Sequence, residues 1–198
     1  MEKINPGGKG KWRWYHGVLI YAGIQAATFG LDAIVRKTRN TQSEDIKQFY
    51  KNQKQPFFAP PAWAFAPAWT INNALCLYGL LRVLNMPEET SGRNEFINLQ
   101  VASWADFILF SAASFGLRSN YNSAVLTNLY LAFTLASFYI AIKKLKDEKT
   151  AVSLSTLIIW LGIASPLSLT IAAWNGDEFY RSEPFTEPPP GWSKQQTR

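Results

Sequence analysis

The sequence predicts an all-α integral membrane protein built as a bundle of five transmembrane helices. Five apolar stretches of about 20 residues punctuate the chain, and a helix of that length crosses a hydrocarbon core of about 30 Å. Charged residues make up 17% of the 198-residue chain, against about 25% in soluble domains. The 8 tryptophans and 13 phenylalanines suit the lipid interface and the apolar interior of a membrane protein.

The predicted spans follow one another through short polar connections, with one exception. A basic segment, residues 1–14, precedes a membrane domain of residues 15–176, and a Pro-rich polar tail, residues 177–198, follows it. The exception is residues 36–60, which we interpret as a functional loop, since long loops in compact proteins usually carry function or are disordered. The five spans cover residues 15–35, 62–84, 96–115, 123–142 and 151–174.

The charge pattern favours a lipid bilayer over nucleic acid as the surroundings of this protein. The net charge of +6 comes from basic residues beside the apolar stretches, not from one amphipathic face. The 20 Lys and Arg residues divide evenly between the two sides of a five-span topology, so the positive-inside rule assigns no orientation. The single cysteine, Cys76, excludes an internal disulfide.

Polar side chains at helical spacing mark two of the spans. Residues three and four apart share one face of a helix, and in lipid a polar face turns towards another helix or a cavity. Hydrogen bonding between helices and the lining of a cavity both account for such a stripe. The two stripes are Tyr21, Gln25, Thr28 and Asp32 in the first span, and Thr127, Tyr130, Thr134 and Ser137 in the fourth.

Asp106 lies near the middle of the third span, where insertion of a carboxylate costs about 2.5–3.5 kcal/mol. No Lys or Arg lies at the same depth in any span. Three states satisfy this cost: protonation, a hydrogen bond to a group such as Asn73 or a tyrosine hydroxyl, or exposure to a wet cavity. A structural and a functional role are both open at this point.

Patterns that would name a reaction or a metal do not occur in the sequence. There is no nucleophile–base arrangement, Gly-rich phosphate loop or Cys/His cluster, so we expect a protein that is not an enzyme and has no metal site. The single histidine, His16, lies beside Trp12, Trp14 and Tyr15, which is typical of an interfacial aromatic belt. An axial ligand of a haem is the alternative for His16.

Residues 55–70 combine prolines and aromatic residues at fixed spacing just before the second span. Two adjacent prolines fit the start of a helix, where their missing N–H groups cost nothing. The segment resembles the signature of the TspO/MBR family, the translocator or tryptophan-rich sensory proteins, with Phe58 in place of its first tryptophan. The residues in matching positions are Pro56, Pro60, Pro61, Trp63, Phe65, Pro67, Trp69 and Thr70.

The resemblance extends over about residues 48–177. Residues 114–118, at the end of the third span, and residues 173–177, at the end of the fifth, are similar to conserved motifs of that family. Three positions depart from it: Asn73 replaces a tyrosine, residues 104–110 replace a Trp-rich motif, and Thr170 replaces an asparagine.

What the resemblance implies is binding of a hydrophobic planar ligand for sensing or transport, either a tetrapyrrole such as haem or porphyrin, or a sterol. That ligand would lie between helix ends, capped by residues 36–60, in a monomer or homodimer. The alternative is a non-catalytic accessory subunit of a larger membrane complex. The candidate ligand-binding residues are Trp63, Phe65, Trp69, Asn73, Trp104, Asp106, Phe110 and Trp174.

Overall fold

Helices make up most of the chain in the computed structural model, which describes residues 11–194. Two helices end in a π-helical turn: α4 continues through Ser111–Gly116, and α5 through Ala141–Leu145. Two short strands, β1 (Gln55–Pro56) and β2 (Ser193–Lys194), pair antiparallel. The α-helices are α1 (Trp14–Arg39), α2 (Ser43–Asn52), α3 (Phe65–Leu84), α4 (Arg93–Phe110), α5 (Asn120–Ile140) and α6 (Glu148–Asn175).

Four helices are long and apolar enough to cross a membrane: α1, α4 and α5 with their π-helical ends, and α6. They coincide with the first, third, fourth and fifth predicted spans. The second predicted span corresponds to α3, which has 20 residues but contains Asn72, Asn73 and Arg82. Those polar residues lower its hydropathy, and α3 is not one of the four. Of the predicted basic segment and polar tail, residues 1–10 and 195–198 lie outside the described residues.

Many polar residues are buried and many large apolar residues are exposed, which is unusual in a soluble protein. The outward faces of the helices carry aliphatic and aromatic side chains that are more than half exposed, and a bilayer covers such faces. These include Leu19, Phe29, Val101, Val125, Val152 and Ile159. The buried polar residues include Asn72, Gln100, Ser103, Thr134, Ser137 and Ser168.

The predicted long loop, residues 36–60, is a helix flanked by two turns. Helix α1 ends because Asn40 adopts a left-handed conformation (φ 51°) and donates its N–H to the Lys37 carbonyl. Helix α2 begins after Gln42, whose N–H donates to the Asp45 carboxylate at 2.7 Å. The segment interpreted as a functional loop therefore contains a second helix, which local capping residues start.

The bundle is tightly packed at one end only. Val83, Phe96 and Leu154 are fully buried there, near the end of α3 and the beginnings of α4 and α6. Helices α3 and α6 approach closely at Gly79, where a Cβ atom would come within 2.4 Å of the Ser153 hydroxyl. This densely packed half, called here the closed end, leaves the opposite half of the bundle to hold a cavity.

An ion pair stabilises the closed end. The Arg82 guanidinium donates to both carboxylate oxygens of Asp147, at 2.8 and 3.0 Å, and the Thr150 hydroxyl donates to Asp147 at 2.5 Å. Burial alone would raise the pKa of Asp147, but the hydrogen bonds from Arg82 and Thr150 outweigh burial and hold that pKa below its ordinary value of 3.8. Asp147 is therefore ionised at neutral pH and ties the start of α6 to the end of α3.

Candidate ligand cavity

A cavity of about 730 Å³ lies in the half of the bundle opposite the closed end. All six α-helices and the segment between α2 and α3 contribute to its wall. Among the described residues that line it there is no histidine, cysteine, methionine, lysine or arginine. Its volume falls within the range of about 300–1,000 Å³ typical of small-molecule sites.

Aromatic rings form one wall of the cavity around Trp69. The Trp69 and Tyr130 rings are nearly parallel, with centroids 6.1 Å apart and an interplanar angle of 11°. Phe107 and Trp160 meet Trp69 edge to face, at 5.7 and 6.4 Å, and Phe65 meets Trp160 at 5.2 Å. The wall offers ring faces and edges from four helices, an arrangement suited to a flat apolar ligand.

Two polar side chains line the cavity at its inner end. Asn73 is 2% exposed and Asp106 is 6% exposed, and both face the cavity. The Asn73 Oδ1 atom accepts no hydrogen bond, and no hydrogen bond or ion pair among residues 11–194 involves the Asp106 carboxylate. One of the three states considered for Asp106, a hydrogen bond to Asn73 or to a tyrosine hydroxyl, is therefore not observed among the described residues.

Helix α2 covers the mouth of the cavity. Phe49 is buried and points inward, with Tyr50 and Gln53 beside it. The end of this helix is fixed to α6 by a reciprocal pair of hydrogen bonds: the Lys54 N–H donates to Asn175 Oδ1 at 2.7 Å, and Asn175 Nδ2 donates to the Lys54 carbonyl at 3.2 Å. Helix α2 and residues 53–60 together are called the lid below.

The polar tail crosses the lid and is held to it. The Phe57 N–H donates to the Trp192 carbonyl at 2.8 Å, next to the β1–β2 pair. The Lys54 ammonium pairs with Glu187 at 2.6 Å, and the Lys194 ammonium donates to the Ala59 carbonyl. The tail is therefore held to the lid by specific contacts of residues 187–194.

Asp177 anchors the beginning of the tail. Its carboxylate accepts hydrogen bonds from the Ser119 hydroxyl at 2.7 Å and from the backbone N–H groups of Tyr121 and Tyr180. Gly176 is required beside it, because its φ is +65° and a Cβ atom would come within 2.3 Å of the Ser182 carbonyl. Asp177 therefore joins the end of α6, the start of α5 and the tail.

Five of the eight candidate ligand-binding residues line the cavity, namely Phe65, Trp69, Asn73, Asp106 and Phe110. They come from α3 and α4, two helices that run in opposite directions along the cavity.

Three of the eight candidates lie outside the cavity lining. Trp63 is 76% exposed in the short turn before α3. Trp104 is buried but outside the lining, because it precedes Asp106 by two residues and a step of two turns a helical side chain by about 200°. Trp174 is buried beyond Ile171, the last residue of α6 in the lining.

Residues of the two polar stripes line the cavity, bond between helices or bond within their own helix. In α1, Tyr21, Gln25 and Thr28 line the cavity, whereas Asp32 pairs with Arg36 at 2.8 Å. In α5, the stripe splits by depth. Thr127 and Tyr130 line the cavity, while the Thr134 hydroxyl donates to the Tyr130 carbonyl and Ser137 accepts a hydrogen bond from Gln100.

Several lining residues were not among the sequence-based candidates, and the clearest are Phe49, Tyr50 and Trp160. A signal for the first two exists: Ile46, Phe49 and Tyr50 are spaced three and four residues apart, as on the apolar face of a short helix. Trp160 sits in a continuous apolar run, where periodicity does not select a face.

The remaining sequence candidate, His16, lies away from the cavity. Its Nδ1 atom accepts the Arg13 N–H at 2.9 Å, and its ring packs against Tyr15 at 4.3 Å and Trp12 at 5.4 Å. This is an aromatic cluster at the beginning of α1, consistent with an interfacial belt.

The fold and the cavity together define a multi-pass helical membrane protein with an internal aromatic-walled site. The sequence model of the TspO/MBR family matches residues 24–174. The chain therefore belongs to the TspO/MBR family, which confirms the resemblance and extends it to most of α1. A comparison with curated proteins gives no significant match.

Proposed function

We propose that this protein binds a hydrophobic planar ligand, a tetrapyrrole or a sterol, in the cavity and serves in sensing or transport. The observation that carries the proposal is the aromatic-walled cavity of about 730 Å³, closed by a lid. Offset and edge-to-face contacts with aromatic rings contribute about 0.5–1.5 kcal/mol each beyond burial of area. A flat ring system placed beside Trp69 would gain several such contacts.

In the same proposal α3 also crosses the membrane, as the second of five spans in chain order. Its polar residues are consistent with this, since Asn72 and Asn73 are buried in the bundle and Arg82 pairs with Asp147. A helix of 20 residues spans about 30 Å. Only its outer face would then contact lipid.

A binding role agrees better with the cavity than a catalytic one. Asp106 is the one carboxylate among the described lining residues, and no histidine, cysteine or lysine stands beside it as an acid, base or nucleophile. A haem would be held mainly by its ring faces, because the only residues of the described lining able to bind its iron are tyrosines.

Titration of protoporphyrin into the detergent-solubilised protein, followed by tryptophan quenching, tests the proposal. We expect saturable quenching, with affinity about tenfold weaker in Trp69→Ala, corresponding to about 1.4 kcal/mol. Trp63→Ala is the matched control, since this tryptophan is exposed and outside the cavity, and its affinity should equal that of the wild type. Absence of saturation, or equal weakening in both variants, would contradict the proposal.

The alternative function is that of an accessory subunit in a larger membrane complex. One observation favours it: only 11% of the most apolar 18-residue stretch of α1 is buried in the bundle. The rest of that stretch is free to contact another protein or lipid. Purification in mild detergent separates the two functions. An accessory subunit co-purifies with unrelated chains in fixed ratio, whereas a ligand receptor is obtained as a monomer or homodimer.

A further inference from the structure

The inner end of the cavity presents negative and hydrogen-bond-accepting groups that no protein group satisfies. Asp106 and Asn73 are each more than nine-tenths buried, and both border the cavity. The Asn73 Oδ1 atom has no donor, and the Asp106 carboxylate has neither a hydrogen bond nor an ion pair within residues 11–194. Buried polar groups in folded proteins nearly always have partners, so this pair points to a missing one.

Among the described residues that line the cavity there is no Lys, Arg or His. Two arginines of the helices that form its wall are engaged elsewhere: Arg82 with Asp147 at the closed end, and Arg36 with Asp32 at the mouth. A cation that balances the Asp106 carboxylate would therefore have to come with the ligand.

The position of the two groups fixes how such a ligand would lie. Asn73 is eight residues beyond Phe65 along α3, which is about 12 Å deeper into the bundle. Between these depths stand the rings of Trp69, Tyr130 and Trp160. A molecule whose flat apolar body contacts these rings would bring its inner edge to Asp106.

We propose that the ligand is a planar apolar molecule with a protonated amine at its inner edge, held by the Asp106 carboxylate with Asn73 Oδ1 as a second acceptor. This rests on the planar-ligand part of the proposed function and adds a charged group that haem, porphyrins and sterols do not carry. An ammonium group supplies a positive counter-charge for the Asp106 carboxylate. It also supplies hydrogen-bond donors for both Asp106 and Asn73. A ligand carboxylate, by contrast, would have to face the mouth, since like charges repel strongly where water is excluded.

Three pyrenes with the same ring test this assignment: 1-pyrenemethylamine, 1-pyrenemethanol and 1-pyrenecarboxylic acid. Binding to the protein in zwitterionic lipid nanodiscs is followed by energy transfer from tryptophan, with empty nanodiscs subtracted. In the wild type we expect the amine to bind at least about tenfold more tightly than the alcohol, and the acid most weakly. In Asp106→Asn the advantage of the amine should fall to about threefold or less, with the affinity for the alcohol unchanged.

Two further variants serve as controls. Asp32→Asn removes a carboxylate that pairs with Arg36 outside the cavity lining, and it should retain the full preference for the amine. Asn73→Ala should reduce the preference but not abolish it. The thermal midpoint of each variant shows whether it is folded, and Asp106→Asn is expected to keep that of the wild type because an amide replaces the acid without added volume.

The possible failures are distinguishable. Equal binding of the amine and the alcohol to the wild type, or an amine preference that survives in Asp106→Asn, overturns the assignment while leaving the planar-ligand function in place. Loss of folding in Asp106→Asn shows that the carboxylate is structural and also overturns it. Failure of all three pyrenes to bind refutes an accessible cavity, and with it the proposed function.

Discussion

Asn175 is the residue whose removal most directly tests the role of the lid. Its side chain makes two hydrogen bonds with the backbone of Lys54, at 2.7 and 3.2 Å, across 121 residues of sequence. A third hydrogen bond, to the Ile171 carbonyl, lies within α6 and persists whether the lid is open or closed. Asn175→Ala therefore removes two contacts that exist only in the closed state.

The magnitude follows from these two hydrogen bonds. Each contributes about 0.5–1.5 kcal/mol net, so their loss favours opening by about 1–3 kcal/mol. If ligand leaves through the open lid, its dissociation rate rises in proportion to the open population, by about 5- to 150-fold. Entry through the same opening also needs the lid to open, so the association rate should rise by a similar factor and the equilibrium affinity should change little.

Stopped-flow measurement of porphyrin release into excess apomyoglobin gives the dissociation rate directly. Asn128→Ala is the matched control, because its amide also bonds to two groups but lies away from the lid: the Ala124 carbonyl within α5 and the Ser165 hydroxyl of α6. We expect faster release from Asn175→Ala alone. An unchanged rate in folded Asn175→Ala, or the same acceleration in Asn128→Ala, would refute the assignment of residues 43–60 as a lid.

The remaining predictions concern the membrane and the closed end. Alkaline carbonate should leave the protein in the membrane fraction, since the backbone of each span is hydrogen-bonded within its helix, and recovery in the supernatant would contradict this. Asp147→Asn should lower the free energy of unfolding by about 1–3 kcal/mol because it leaves the half-buried Arg82 guanidinium without its counter-charge, whereas Glu95→Gln, in an exposed pair with Lys144, should cost about 0–1 kcal/mol. The pKa of Asp147 is lowered on folding, so its contribution is present above the ordinary value of 3.8 and is lost as pH falls through the folded value. Denaturation as a function of pH should show this loss in the wild type and not in Asp147→Asn.

Much of the site was predictable where a side chain's role follows from its own helix. The helical spacing of Tyr21, Gln25 and Thr28 predicts a common face, and the structure turns that face to the cavity. Asp106 was conspicuous because a carboxylate in an apolar span is costly. Trp104 was equally conspicuous, but the structure places it outside the cavity lining. A tryptophan suits a core or a cavity, and only packing decides which face of α4 turns inward.

The sequence by itself determined the class of membrane protein, the approximate spans and the family, because apolar length and the proline–tryptophan spacing of residues 55–70 are local properties. The tertiary structure determined the position of the lid, the path of the polar tail and the shape of the cavity. Those depend on contacts such as Lys54 with Asn175 and Phe57 with Trp192, between residues more than 100 positions apart. A hydrogen bond between two backbone groups, or between backbone and a common amide side chain, leaves no pattern in the sequence, and so only the folded chain reveals that the polar tail is held against the lid.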